Sequence, residues 1–137
     1  METRKIRITE ADLNKLRKTI VDAMRGEYRN SVYLRELEKE LDRAEIVPSR
    51  EIGKNVITMN SKAQFKDLES GDVFELTLVY PEDSHEGEDV VSILAPIGTA
   101  MLGYQVGDEF SWQTPGGSAR LKVEKILYQP ESAGEFD

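Results

Sequence analysis

The first third of the chain has the spacing of two amphipathic helices. Apolar residues recur there at steps of three and four, which places them on one face of a helix. The first series is Leu13, Leu16, Ile20 and Met24, and the second is Leu34, Leu37, Leu41 and Ala44. The pattern predicts two helices of about 17 residues each, and the narrow apolar seam of the second is typical of a coiled coil.

Residues that favour helix ends bound both predicted helices. Thr9 and Asp12 have the spacing of a capping box, with Asp in place of Glu. Gly26 ends the first helix, and either Asn30 or Ser31 begins the second. Because the connection is short, the helices are predicted to fold back antiparallel. Such a short hairpin needs further structure to pack against.

After Pro48 the pattern changes to that of β-strands, which are short, rich in β-branched residues or alternating. The predicted strands are residues 56–58, 73–80, 89–95, 109–114 and 119–128. Residues 61–68 could form a strand edge or irregular structure, and residues 99–103 have room for about one helical turn. Strands outnumber crossover helices, so the predicted sheet is antiparallel, with a mainly apolar face against that short helix.

These patterns predict an α+β protein within the 137 residues of the chain. Residues 1–47 form a short antiparallel helical hairpin, or coiled coil. Residues 48–130 form an antiparallel-sheet domain with one short helix, and residues 131–137 form a polar tail. The segment from residue 130 onward is expected to be loosely held.

Charge and composition exclude several classes of function. The net charge is -8, from 26 acidic and 18 basic residues, and the nearest approach to a basic cluster is the RKIR run at residues 4–7. Direct nucleic-acid binding is therefore disfavoured, whereas a basic protein partner is easier to accommodate, although many acidic proteins have no such partner. No apolar run has the length of a signal peptide or a membrane span, so we expect a cytoplasmic protein.

The usual catalytic constellations are missing from the sequence. Without cysteine there are no disulfides or thiolate metal sites, and the single histidine, His85, lies in the acidic loop at residues 82–89. A metal could recruit that loop's carboxylates, but a solvated hairpin loop explains the same residues. The glycines fit no phosphate-binding motif, and Pro115-Gly116-Gly117 reads as a hairpin turn. We therefore expect no enzyme, no cofactor and no metal site.

One dense stretch carries a family resemblance. The run SILAPIGTAMLGYQVGDEFSWQTPGG, residues 92–117, resembles the C-terminal domain of the bacterial Gre transcript-cleavage factors. Three further pieces, TMNS at 58–61, LVYP at 78–81 and YQPESAGEFD from Tyr128, are similar to the regulator of nucleoside diphosphate kinase (Rnk) branch. The resemblance covers nearly everything from about residue 30 onward.

The resemblance implies an FKBP-like globular domain that docks at the rim of the RNA polymerase secondary channel. The docking loop would correspond to residues 92–98, and its contact residues would be Ser92, Ala95, Pro96, Ile97 and Gly98. A proline-stiffened corner with small apolar residues suits an interface. The alternative is that Pro96 and Gly98 only shape a strand-to-helix corner. We expect Met101 and Leu102 to be buried in either case.

At the hairpin tip the sequence departs from the Gre pattern, in which a pair of acidic residues helps to hold a catalytic magnesium ion. Glu27 occupies the first acidic position, but Arg29 follows it and Asn30 takes the second position. The helices are also much shorter than a Gre coiled coil. The resemblance therefore implies a polymerase-binding regulator that competes with Gre factors and stimulates no cleavage.

Two alternatives remain open on the sequence. The protein could be a weak cleavage factor that uses Glu27, or, with less support, a prolyl isomerase of the FKBP type. The isomerase needs an aromatic-lined pocket, whereas the spacing of Phe74, Phe110 and Trp112 predicts core or sheet positions. Any effect on nucleoside diphosphate kinase is expected to act through transcription. Small-molecule ligands and the oligomeric state are not indicated.

Overall fold

The computed structural model describes residues 6–84, 87, 89–114 and 117–133, without the side chains of residues 112–114 and 133. The interpretations of His85, the Pro115-Gly116 turn, the Trp112 side chain and the end of the tail lie outside the described residues. The helices and strands, in chain order, are β1 (Arg7–Thr9), α1 (Glu10–Met24), α2 (Val32–Arg43), β2 (Glu45–Val47), β3 (Lys62–Asp67), β4 (Val73–Val79), β5 (Val90–Ser92), α3 (Pro96–Met101), β6 (Glu109–Thr114) and β7 (Gly117–Tyr128).

The helical hairpin forms with the predicted caps. Thr9 Oγ1 accepts a hydrogen bond from the Asp12 amide at 3.1 Å, and Ser31 Oγ accepts one from the Leu34 amide at 3.2 Å. Most side chains predicted to line the seam are buried, namely Leu13, Leu16, Ile20, Leu34, Leu37 and Leu41. Met24 and Ala44 are only partly buried against the core, and Ala44 lies just beyond the end of α2. With 15 and 12 residues, however, the helices are shorter than predicted.

A two-stranded parallel sheet lies at the base of the hairpin, where the sequence analysis predicted no strand. Strands β1 and β2 flank the two helices and pair in register from Arg7 opposite Glu45 to Thr9 opposite Val47. The side chains of Arg7 and Glu45 also form an ion pair at 3.3 Å. Each strand has only three residues, which is too short for an alternating pattern to be recognised.

The main sheet has five strands in the order β5-β4-β3-β7-β6. Its pairs are antiparallel except β4 with β5, which are parallel, so the predicted architecture is confirmed with that exception. Residues 61–68, which the sequence left as an edge or irregular segment, supply the central strand β3. Buried and polar residues do alternate along β3, because Ala63 and Phe65 are buried between polar neighbours. The pattern is weak in the sequence because only these two residues are apolar.

Two further sequence predictions need correction. Residues 56–58 do not form a strand, because Val56 makes only an isolated bridge with Gln105. Of the predicted strand at 89–95, only Val90–Ser92 pairs, and helix α3 begins at Pro96 instead of Thr99. Proline fits the first helical position, since it has no amide hydrogen to leave unpaired there.

The described start of the C-terminal segment is anchored, whereas the sequence predicted a loosely held segment from residue 130 onward. Gln129 is buried, and its Nε2 donates to the carbonyl oxygens of Gly53 at 2.9 Å and Val56 at 2.7 Å. Glu131 Oε1 accepts a hydrogen bond from Thr58 Oγ1 at 2.8 Å. How the chain divides into segments at residues 47 and 130 stays a prediction.

The hairpin and the sheet share one hydrophobic core. Leu16 and Leu37 from the helices belong to the same buried cluster as Phe65 and Val123 from the central strands. The hairpin therefore buries its apolar side chains in a core shared with the sheet, and this core supplies the packing that two short helices need. Among the described residues, none of the helices combines the length and the hydropathy of a membrane span.

Gly103 offers a test of this shared packing. It has a φ of +83°, and a Cβ at this position would overlap the Ile6 side chain just before β1. We expect Gly103→Ala to lower the free energy of unfolding in urea by about 3 kcal/mol or more, because backbone strain and steric overlap add.

Gly107→Ala is the matched control. Gly107 also has a positive φ, of +95°, but a Cβ there would meet nothing within 4 Å. Only the strain of about 1–2 kcal/mol should appear. Equal losses in the two variants would mean that the contact with Ile6 is unimportant.

Candidate functional site

The segment at residues 92–98 forms a rigid corner between β5 and α3. Ser92 Oγ accepts a hydrogen bond from the Leu94 amide at 3.0 Å, and the Ser92 carbonyl accepts one from the Ala95 amide, also at 3.0 Å. The Thr99 amide then donates to the Ala95 carbonyl at 3.0 Å, which begins α3. Hydrogen bonds thus fix the chain on both sides of Pro96.

Gly98 is required by the packing of this corner. It is buried, and a Cβ at this position would overlap the carbonyl oxygen of Ser92. The first turn of α3 therefore lies directly against the end of β5. Gly98 is therefore needed for the shape of the strand-to-helix corner. This is the role that the alternative interpretation of the sequence gave it.

The outward surface of the corner is small and apolar. Ala95, Pro96 and Ile97 are half-buried, and Ile97 packs in part against the hydrophobic core. Met101 and Leu102 are fully buried, as predicted. The accessible part of the corner thus consists mainly of Ala95 and Pro96, with the exposed edge of Ile97.

The hairpin tip is a series of tight turns between α1 and α2. The Arg29 amide donates to the Gly26 carbonyl at 3.2 Å, and the Ser31 amide donates to the Tyr28 carbonyl at 2.9 Å. Glu27 and Arg29 are exposed, whereas Tyr28 is half-buried and packs against the core. The tip therefore presents one carboxylate and one guanidinium to solvent and is held down by Tyr28.

The tip and the corner border the same cleft. This cleft has a volume of about 560 Å³ and is lined by Lys15, Lys18, Thr19, Asp22, Ala23, Gly26, Glu27, Tyr28, Pro81, Glu82 and Leu94. Leu94 belongs to the corner segment, so the structure brings together two regions that the sequence analysis treated as separate. Their sequence separation of more than sixty residues carries no signal of this proximity.

The tip has few of the ligands that a metal ion needs. In the described ranges, no three or more His, Asp or Glu side chains group where they could hold a metal ion. The carboxylates of Asp22, Glu27 and Glu82 line the cleft, but so do the ammonium groups of Lys15 and Lys18. The cleft therefore presents mixed charge.

Comparison with known proteins places the chain in a family. The model "Transcription elongation factor, GreA/GreB, C-term" matches residues 52–128, and the model "Rnk N-terminus" matches residues 4–47. The chain belongs to the GreA/GreB family, in its Rnk branch. Over 101 residues it is 44% identical to the regulator of nucleoside diphosphate kinase of Escherichia coli K12. These residues make up 73% of this chain and 74% of that protein.

The fold is shared with solved members of the family. A GreA/GreB elongation factor from Nitrosomonas europaea superposes with a TM-score of 0.76 at 39% identity, covering 91% of this chain and 99% of that one. GreA of Alkaliphilus oremlandii is 31% identical over 93 residues, which span 68% of this chain but only 58% of that longer protein. Family and fold together support a transcription-factor-like role.

Polar contacts of Asp12 and Lys15 tie the start of α1 to the rest of the protein. Asp12 Oδ2 accepts a hydrogen bond from the Met59 amide at 3.1 Å, which ties α1 to the segment before β3. Lys15 Nζ lies 4.2 Å from the centre of the Tyr80 ring. Burial raises the pKa of Asp12 to about 6, with a further contribution from Glu131, and outweighs the hydrogen bond from Met59. Burial and the nearby Asp12 also raise the pKa of Tyr80.

The raised pKa makes stability depend on pH in a defined window. Folding favours protonated Asp12, so its contribution is complete below the ordinary pKa of 3.8 and is lost as the pH rises through about 6. One pKa unit corresponds to about 1.4 kcal/mol, so the loss is at most about 3 kcal/mol.

Asp12→Asn should remove this dependence. Between pH 4 and 7.5, the free energy of unfolding of the wild type should fall relative to that of the variant. Urea unfolding at the two pH values measures the difference, and Asp72→Asn at an exposed carboxylate controls for net charge. Parallel pH curves for wild type and Asp12→Asn would contradict the assignment.

Proposed function

We propose that the protein binds bacterial RNA polymerase at the rim of the secondary channel and competes there with Gre factors. The proposal is carried by the corner at residues 92–98, which lies in the part of the chain most like the Gre C-terminal domain. It presents Ala95 and Pro96 half-exposed on a backbone fixed by hydrogen bonds. A pre-ordered apolar corner loses little conformational entropy on binding.

We propose further that the protein is not an enzyme and does not stimulate RNA cleavage. At the tip, the carboxylate of Glu27 is exposed but Arg29 and Asn30 follow it, and a guanidinium disfavours a second magnesium ion nearby. Helix α1, with 15 residues, is only about 22 Å long. Tyr28 also packs back onto the core, which holds the tip against the body of the protein.

The packing of the aromatic residues argues against a prolyl isomerase. Phe65 stacks with Phe74 at 5.8 Å between ring centres and meets the edge of Phe110 at 6.1 Å. Tyr104 stacks on Phe110 at 4.8 Å. Phe65 and Phe110 are buried in the core, and Phe74 and Tyr104 pack half-buried against it, so these rings are engaged with one another and with the core.

A regulatory effect on nucleoside diphosphate kinase would follow from polymerase binding. The Escherichia coli relative is named for such regulation. A protein that occupies the channel entrance changes transcription and need not contact the kinase. The protein would then act in the cytoplasm, where the polymerase is, without binding nucleic acid directly.

Pro96→Asp tests the docking corner. Burying a carboxylate in an apolar interface is unfavourable, so we expect binding to purified core RNA polymerase to weaken by about tenfold or more. A labelled wild-type protein should be displaced by a Gre factor in the same assay. Circular dichroism establishes that the variant folds.

Val106→Asp is the control, because it makes the same change of charge at an exposed apolar side chain outside the corner. It should bind like the wild type. Equal weakening by both variants would leave the corner without a special role, and absence of saturable wild-type binding at micromolar concentration would end the transcription proposal.

A cleavage assay on backtracked elongation complexes separates the proposal from the Glu27 alternative. At saturating concentration we expect no RNA cleavage above background from the wild type or from Glu27→Ala, while a Gre factor cleaves the same complexes. Both forms should bind the polymerase equally. Cleavage by the wild type that Glu27→Ala abolishes would show that the single carboxylate suffices.

A further inference from the structure

The face of the main sheet turned away from the core concentrates positive charge. Ala63 and Phe65 of β3 point into the core, so Lys62, Gln64 and Lys66 point to the other side, which we call the outer face. The register adds residues of the neighbouring strands to this face. Its charged members are Lys62, Lys66, Glu75, Glu109, Arg120, Lys122, Glu124 and Lys125.

Two lysines lie directly opposite each other at the centre of this face. Lys66 of β3 is the register partner of Lys122 of β7, and Lys125 is the partner of Gln64 in the next row. Like charges directly opposite each other destabilise a sheet. Glu109 faces Lys122 from β6 and offsets part of this repulsion, whereas Lys66 faces only Val73 and Lys122.

Ion pairs neutralise only part of the charge. Lys62 pairs with Glu75 at 3.3 Å, Arg120 with Glu109 at 2.9 Å, and Lys122 with Glu124 of the adjoining bulge at 4.0 Å. Within the described part of the chain, no carboxylate pairs with Lys66 or Lys125. The outer face thus has a cationic excess although the whole chain carries a charge of -8.

Exposed apolar side chains border the lysines. Val73 is 53% exposed and is the register partner of Lys66 on β4. Leu68 is 36% exposed and follows β3, where its amide donates to the Arg120 carbonyl at 2.9 Å. Cationic and apolar groups therefore alternate across a few adjacent positions.

We propose that the outer face binds an acidic segment of a protein partner, one that also carries apolar side chains. Separate carboxylate side chains of the bound segment would pair with Lys66 and Lys125. They would fit between the carboxylates of Glu75, Glu109 and Glu124. A continuous phosphate chain would meet those three carboxylates, whereas spaced carboxylate side chains can avoid them. A protein segment is therefore favoured over nucleic acid.

This surface is distinct from the proposed polymerase corner. Val79 at the end of β4 pairs with Ser92, whereas Val73 is at the other end of the strand, about 20 Å away. The inference therefore does not depend on polymerase binding.

The test uses the full chain and a labelled synthetic peptide in which Asp and Glu alternate with Leu. Fluorescence anisotropy at low ionic strength should show saturable binding that weakens as salt is added. Lys66→Glu combined with Lys125→Glu should raise the Kd by about tenfold or more. The control is a second double variant, Lys39→Glu with Lys54→Glu, at two exposed lysines elsewhere. It makes the same change in net charge and should leave the Kd within about twofold.

Three outcomes would overturn the proposal. They are no saturable binding of the peptide to the wild type, equal weakening in both double variants, and tighter binding of a labelled single-stranded RNA than of the peptide.

Lys66→Gln adds a readout that a purely structural role would not give. It should weaken peptide binding without lowering the free energy of unfolding, because it removes a like-charge pair.

Discussion

The hydrophobic core that the helical hairpin and the five-stranded sheet share is the constraint on which the rest of the structure depends. Two helices of 15 and 12 residues are not stable alone, and the apolar face of a five-stranded sheet must be covered by another element. Each therefore completes the other, in a single core that runs from Leu16 and Leu37 to Phe65 and Val123. The parallel pair β1 and β2 and the bond from Met59 to Asp12 hold the base of the hairpin in this position.

This packing determines what the two candidate surfaces can do. Because the hairpin shares its core with the sheet, its tip borders the same cleft as the corner segment and does not stand apart from the domain. Of the corner segment, Leu94 lines this cleft together with Glu27 and Tyr28 of the tip. The short, anchored tip is consistent with occupying a site, whereas delivery of a metal ion to a distant active centre would need a longer hairpin with a second carboxylate.

The sheet separates the protein into surfaces of different character. One face is apolar and buried, and the corner at its end offers a small apolar contact. The other face is polar and carries more cations than the net charge would suggest. A strand alternates its side chains between the two faces, so the residues that build the core also fix the spacing of the lysines.

The sequence by itself determined the elements with strong local patterns. Helical periodicity and the caps at Thr9 and Ser31 were sufficient for the hairpin, and the motifs at residues 92–117 were sufficient for the family, because each is written in neighbouring residues. Only the tertiary structure decided that residues 61–68 form the central strand, that Gln129 and Glu131 are anchored, and that Glu27 and Leu94 face one cleft. Those features depend on contacts between residues far apart in the chain, and local pattern has no information about which distant segments meet.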